Sequence, residues 1–462
     1  MASQARAFSS TAKAFLAGGY LVLFPEYAAY VVALSARMHA VSNFKRDEDG
    51  FFKITVNSPQ FKNGCWSYEI DPEKIKTNGL TAELFEVEAR RNPFVEATIL
   101  TVFSYALGKY PKMEGKDITI TMFSDPEYHS QKGAVKKSSD NGSYAFLYHG
   151  EEITGVNKTG LGSSAGLVTS LTASLLSCLV EEFDLSGALW KEKVHNLAQI
   201  AHCKAQGKIG SGFDVASATF GSIVYRRFNS KLVTNVIDSS DVDSLIKVVD
   251  NSDWETMHSP CVLPRGIRLL MGDVEGGSET PKMVSKVLEW KRANPGKCLQ
   301  VWSALNESNM KLTNALLELN ALSSSSFTEY ETLIKNLSFY NSNEILQLEG
   351  DNVEYLQNVI ESLSDIRKYL KIMTLETGVS IEPDEQSNIL DAVCKVKGVL
   401  GGVVPGAGGY DAICMLVASA EVANIVASTR LLPECEHVRW MSLSEQSLGL
   451  IEENVADFSG LV

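Results

Sequence analysis

At 462 residues the chain is too long for one ordinary core, and two or three packed domains are expected. With 45% hydrophobic residues, 21% charged residues and 13 prolines, its composition is globular and excludes wholesale disorder. A formal net charge of −14 excludes a dedicated nucleic-acid binder, which needs a basic surface to release counterions, but not a local cluster of amides and cations that grips an anion.

From the N-terminus, the first 25 residues carry Arg6 and Lys13 but no acid, as a mitochondrial presequence does. The run from Ala14 to Leu23 reads instead as strand, glycine turn, strand. Alternating β-branched and aromatic residues predict strands up to about Val41 and again over Phe51 to Ile70. Helical spacing of apolar residues predicts a helix over Pro93 to Tyr110, and Ile118 to Phe123 is a strand candidate. Lys132 to Gly150, polar and turn-rich, predicts an exposed loop or hairpin.

Two helices are expected next, one after Ser164 carrying Leu167, Leu171, Leu175 and Leu179, the other from Leu185 to about Gln206. Thr159 to Val180 contains no charge and is long enough to cross a bilayer, but its glycines and hydroxyls favour a buried helix after a polar loop. A strand over Gly221 to Phe228 precedes an acidic stretch, Ser239 to Asp253, where a domain boundary is expected. The second half opens with a strand at Ile267 to Gly272. Helices then follow over Pro281 to Lys291, Val301 to Leu322, Phe327 to Leu337, Val353 to Glu376 and Glu385 to Lys397, with Ser323 to Ser326 as a break. Eight cysteines without a CxxC pair read as free thiols in a reducing compartment, so a cytoplasmic location is expected.

The strongest chemical signal is Lys158-Thr159-Gly160-Leu161-Gly162-Ser163-Ser164-Ala165. Its glycines let backbone amides approach a phosphate closely, and the helix that follows points its positive end at the anion. Ser163 and Ser164 can donate hydroxyls to phosphate, or one can ligate magnesium. No GK[ST] ends the loop, so it is not a Walker A motif. A second glycine turn, Pro405-Gly406-Ala407-Gly408-Gly409-Tyr410-Asp411, can present further amides or simply reverse the chain. In a third, Lys208-Ile209-Gly210-Ser211-Gly212-Phe213-Asp214, the carboxylate either orients a nucleophile beside a lysine or caps a helix.

In this order the three segments resemble the GHMP kinase superfamily, with Lys13 and Leu16-Ala17-Gly18-Gly19-Tyr20 as its first motif. The likeness spans essentially the whole chain and is greatest to the fungal-type (eukaryotic) phosphomevalonate kinases. It is carried by Ala17 to Leu23, Ala205 to Asp214 and Pro405 to Ala412. Three departures stand out: Thr11-Ala12 precede Lys13 where the family has Pro-Gly, and Asn157 replaces a proline. The magnesium-binding glutamate of mevalonate kinases has no obvious counterpart around His202-Cys203-Lys204.

The resemblance implies a two-domain α/β and α+β fold. An N-terminal ATP-binding domain with a left-handed βαβ unit would occupy 1–235. A C-terminal ferredoxin-like domain would occupy 236–462, with a helical insertion over about 300–375. It implies ATP and Mg2+ as cofactors, with Lys158 to Ala165 on ATP and Ser164 on the metal. Phosphoryl transfer from ATP to the phosphate of phosphomevalonate follows, in a monomer or homodimer without nucleic acid or membrane. Lys13 and Lys208 are assigned to charge neutralisation and Asp214 to orientation, with Gly406, Ala407, Gly408 and Gly409 as the third motif. For the acceptor, Arg37, His129, Ser130 and Asp411 are the candidates; Arg226-Arg227 is a weaker one, and Ser278 and Thr280 read as caps. Mevalonate kinase, diphosphomevalonate decarboxylase and a non-catalytic ligand sensor are the competing readings; the absence of Gly-Glu-His after Lys13 counts against the first.

Overall fold

In the first strand, Arg6–Ala17, small and apolar residues are buried along nearly its whole length, so both faces are covered. It pairs antiparallel with the 19-residue strand Ala28–Arg46, and the register slips between Thr11 and Ala12, just before Lys13. Such bulges bend a strand and re-aim the side chain beside them. The computed structural model describes residues 5–47, 50–251, 253–274 and 280–462.

Ala28–Arg46 is the hub of a ten-stranded mixed sheet. It pairs antiparallel with Lys116–Ser124 and with Ile223–Arg226. Phe52–Asn57 runs parallel to Lys116–Ser124, which obliges a crossover, and the helix Pro93–Lys109 lies within it. This helix packs with Ser163–Leu179 and Ala188–Gln206, while Ser163–Leu179 and the short helix Phe213–Phe220 rest on the first strand. The sheet also draws on downstream chain. Met257–Pro260 pairs with Ile223–Arg226, Glu445–Gln446 with the hub, and Ile451–Glu453 with Ala7 to Ser9.

A second, four-stranded antiparallel sheet is ordered Val399–Val403, Ala412–Ala418, Ile267–Val274, Val438–Trp440. Two long helices, Pro295–Ser325 and Val353–Thr377, pack on each other and, through the second, on Val399–Val403. The expected hairpin is present as Val135–Ser138 with Ala145–Tyr148. Among the described residues no helix is long and apolar enough to cross a membrane.

Two sequence expectations need correction. The segment after Gly18 is a 3-10 helix, Gly19–Leu23, not a strand: Gly18 sits at φ 130° and Gly19 at φ 52°, which turn the chain away. A Cβ on Gly18 would meet that of Ala29 at 2.6 Å, so the turn also demands glycine on space. The serine run does not break its helix before Ser326, because Ser324 and Ser325 donate to the carbonyls of Asn320 and Ala321 and stay helical. Within the acidic stretch lies a helix, Val242–Asp250, capped by Asp241 and anchored by Leu245 and Val249. Ser278 lies outside the described residues, and Thr280 opens the helix Thr280–Ala293.

The C-terminal return is locked by a buried polar cluster. His39 Nδ1 is 2.8 Å from Glu453 and Nε2 is 3.2 Å from Asp125, while Tyr144 donates to Glu453 at 2.7 Å. Burial alone would depress the His39 pKa, but Asp125 and then Glu453 outweigh it and raise it to about 9. A pKa raised above the unfolded value of about 6.5 stabilises fully below that pH and is lost as pH rises through the folded pKa. The thermal midpoint of wild type should therefore exceed that of His39→Gln most at pH 6, with the gap narrowing by pH 9.5. A gap independent of pH would contradict a charged His39.

Candidate active site

The glycine loop ends in a helix whose start no side chain caps. Gly160 (φ 73°) and Gly162 (φ 86°) take left-handed conformations, and Gly162 is the N-cap residue of Ser163–Leu179. The first amides of that helix have no partner within it, so they and the positive end of the helix are offered to an anion. Leu161 and Ala165 are buried and hold the loop down, Ala165 against Ala198, Ala201 and Val215 of neighbouring helices.

Lys13 lies directly against this loop. Its N–H donates to the Leu161 carbonyl at 3.1 Å and its ammonium to that of Gly160 at 2.8 Å. A Cβ on Gly162 would sit tightly on the Lys13 stem at 3.3 Å, and the positive φ of 86° favours glycine there. Desolvation lowers the Lys13 pKa, and the Asp214 charge partly restores it.

Asp214 occupies the first turn of Phe213–Phe220, where its carboxylate accepts from the Val215 N–H at 3.0 Å. The loop before it is tied down by Arg227, which donates to the carbonyls of Leu23 (2.5 Å), Ile209 (3.1 Å) and Gly210 (2.9 Å). Tyr225 adds a bond to the Ser211 carbonyl at 2.8 Å. Arg227 is thus an internal brace between the first motif and the Asp214 loop, not a solvated strand-end cation. Lys208 is exposed, close enough that its charge helps burial lower the His202 pKa.

Ser164 meets a residue that the sequence did not single out as functional. Its hydroxyl is 3.1 Å from Nε2 of His202, on helix Ala188–Gln206, and the same nitrogen is 3.2 Å from the Gln206 amide and 3.9 Å from Asp214. The contacts of His202, Gln206 and Arg227 arise only when separate helices and loops meet.

Beside Ser163 and Ser164 opens a cavity of about 400 Å3, walled by Phe61, Trp66, Asn92, Phe94, His129 and Lys158 among others. His129 and Ser130 flank the glycine loop: Ser130 N–H donates to Asn157 at 2.9 Å, and His129 forms a bridge with Lys158. His129 packs edge-on to Phe61 at 5.1 Å, and burial, with Lys158 and His149, drops its pKa to about 4, so the ring is neutral near pH 7. Both residues therefore sit beside the glycine loop, with His129 on the cavity wall.

The other acceptor candidates fall elsewhere. Arg37 is committed to the fold, donating to the Ser9 hydroxyl (2.6 Å), the Ser9 carbonyl (2.9 Å) and the Gly449 carbonyl (2.5 Å). Its partners are these groups of the sheet and its C-terminal return. Asp411 ends the third glycine turn, and its carbonyl accepts from Val274. That turn needs Gly408, where a Cβ would strike the Ile381 carbonyl at 2.1 Å, and its Ala407 carbonyl accepts from Tyr20 at 2.7 Å. Gly406 faces open space, and the Gly409 N–H donates to Ile381. Lys13 therefore joins the first motif to the second, and Tyr20 joins it to the third.

Among the described residues no cluster of three or more His, Cys, Asp or Glu side chains forms a metal cage. Oxygens near the loop include the Ser163 and Ser164 hydroxyls, which line the cavity, and the Asp214 carboxylate, 3.9 Å from His202. That donor set suits magnesium carried on nucleotide phosphates, which takes few protein ligands, and not a dedicated protein cage.

No protein-family model matches the chain. In fold it is similar to a phosphomevalonate kinase of Streptococcus pneumoniae, solved with phosphomevalonate and AMPPNP (TM-score 0.61, 16% identity, 95% of this chain and 99% of that one). It is also similar to the Lactococcus lactis galactokinase solved with galactose (TM-score 0.54, 14% identity, 97% and 95%). These likenesses show a fold shared with the GHMP kinases. In sequence it is 45% identical to the phosphomevalonate kinase of Candida albicans over 462 residues, covering 99% of this chain and 100% of the relative. The chain belongs to the phosphomevalonate kinase family.

Proposed function

We propose that the protein transfers the γ-phosphoryl group of ATP to the phosphate of phosphomevalonate, giving diphosphomevalonate and ADP. The observation that carries this reading is the meeting of Lys13, Ser164 and Asp214 around an uncapped helix start at the mouth of a nucleotide-sized cavity. The adenine base occupies the aromatic cavity of Phe61, Trp66 and Phe94, and the phosphates lie on the amides of 160–165.

An acceptor phosphate monoester has a second pKa of about 6 and is largely ionised near neutral pH, so little proton removal is needed. Bringing two polyanions together is the harder task, and cations and fixed dipoles supply most of the catalysis. Lys13 holds positive charge between loop and acceptor, Asp214 orients Lys13 and the acceptor, and Lys208 adds positive charge from the surface. Magnesium on the nucleotide would neutralise phosphate charge, with Ser164 and Asp214 as the protein oxygens available to it.

The same reading divides the chain at about 235/236. It comprises a left-handed βαβ unit in the first part, a ferredoxin-like arrangement in the second, and a helical elaboration over about 300–375. It places a monomer or homodimer in the cytoplasm, in keeping with eight cysteines that form no disulfide.

The test is a product assay by mass with ATP and each of phosphomevalonate, mevalonate and diphosphomevalonate. Diphosphomevalonate and ADP in equal amounts, from phosphomevalonate alone, is the expected result. Phosphorylation of mevalonate, or release of carbon dioxide from diphosphomevalonate, would transfer the protein to a neighbouring activity of the same fold.

A further inference from the structure

We propose that His202 is a positioning residue for the nucleotide: its Nε2 takes the Ser164 hydroxyl proton and so aims a Ser164 oxygen lone pair at the cation on the phosphates. This rests on the reading that ATP phosphates lie on the 160–165 loop.

A serine hydroxyl has one proton and two acceptor lone pairs, and where the proton goes decides where the lone pairs point. Many helical serines donate back to a carbonyl of their own helix. Ser164 lies in the first turn of Ser163–Leu179 and instead meets the ring of His202 at 3.1 Å, from the neighbouring helix. The imidazole is held in place: its side chain is 4% exposed and its ring is tilted on Phe94 at 5.7 Å.

The ring nitrogen's role follows from its other neighbours. The Gln206 side-chain amide nitrogen, one helical turn on, approaches Nε2 at 3.2 Å and can only donate. Nε2 is then an acceptor, the ring proton is on Nδ1, and its single lone pair is shared between the Gln206 amide at 3.2 Å and the Ser164 hydroxyl at 3.1 Å. Asp214, at 3.9 Å from the same nitrogen, is outside hydrogen-bond range and remains available to Lys13 or the acceptor. A partner that orients a metal ligand without touching the metal is commonly worth about 10- to 100-fold in metal affinity.

The test measures the dissociation constant of a non-hydrolysable ATP analogue by calorimetry, with magnesium and with EDTA. It compares wild type, His202→Ala, His202→Gln, Ser164→Ala and the double variant His202→Ala/Ser164→Ala. Magnesium-dependent affinity should fall about tenfold in His202→Ala, with affinity in EDTA unchanged. His202→Gln, whose side-chain oxygen reaches a similar point, should recover most of it. The double variant should bind no worse than Ser164→Ala, because both changes remove one device.

Equal losses with magnesium and EDTA would reduce His202 to a structural role and overturn the proposal, as would additive losses in the double variant. Wild-type affinity in His202→Ala beside a weakened Ser164→Ala would overturn it while leaving the loop reading intact. Tight nucleotide binding unaffected by any of these changes would overturn both. Thermal midpoints of all variants, read alongside, identify any that fail to fold, and His202→Gln then carries the comparison.

Discussion

Asp214→Ala is expected to lower turnover at least about a hundredfold while leaving ATP binding nearly intact. The carboxylate lies on a loop that Arg227 and Tyr225 clamp through three of its backbone carbonyls, so truncating it leaves the scaffold standing. What disappears is the negative charge that supports the Lys13 ammonium. Such a charge acts on the transition state more than on the bound nucleotide, so the loss should appear in kcat and not in the KM for ATP. Asp214→Asn keeps the shape and should be nearly as impaired, which separates charge from packing. Steady-state kinetics with a parallel nucleotide titration decide the matter; unchanged turnover in either variant would remove Asp214 from the mechanism.

Lys13→Met should be at least as damaging, on the order of a thousandfold in kcat/KM, because a preorganised donor aimed at developing charge is worth several kcal/mol in a dry site. Methionine keeps the apolar stem that packs beneath Gly162, so the loop should survive. Lys13→Arg should not rescue activity: a planar guanidinium cannot reproduce the compact ammonium that donates to the Gly160 carbonyl at 2.8 Å. The pH profile supplies a second reading. Desolvation lowers the Lys13 pKa and Asp214 opposes that, so the alkaline limb of kcat/KM should lie below the ordinary lysine range. In Asp214→Asn, which has lost the opposing charge, that limb should move to still lower pH. An alkaline limb at the same pH in both proteins would contradict the Lys13–Asp214 coupling.

Much of this site was legible in the sequence because its chemistry is local. The Gly160 to Ala165 run encodes its own turn, and the uncharged stretch behind it encodes a buried helix, so a glycine loop opening a helix could be read without the fold. Arg37 was legible in part: a cation in an apolar strand demands partners. Those partners were not legible, since the Gly449 carbonyl lies 412 residues away in a C-terminal segment of two- and three-residue strands that show no periodicity.

His202 and Arg227 were hidden for a similar reason. A histidine inside an amphipathic helix looks like any core histidine until a second helix brings Ser164 to its ring. A strand-end arginine looks solvated until two loops turn their carbonyls toward it. The serine run misled for the opposite reason: composition suggested a linker, yet hydroxyls that bond to their own helix let it continue.

The central claim is that backbone amides at the start of helix Ser163–Leu179 hold the triphosphate between Ser164 and Lys13. A crystal structure with a non-hydrolysable ATP analogue and phosphomevalonate tests it most directly. The expected density has the β- and γ-phosphates on the amides of 160–165, within reach of the Ser164 hydroxyl and the Lys13 ammonium. A fully occupied triphosphate bound elsewhere, with that loop bare, would contradict it.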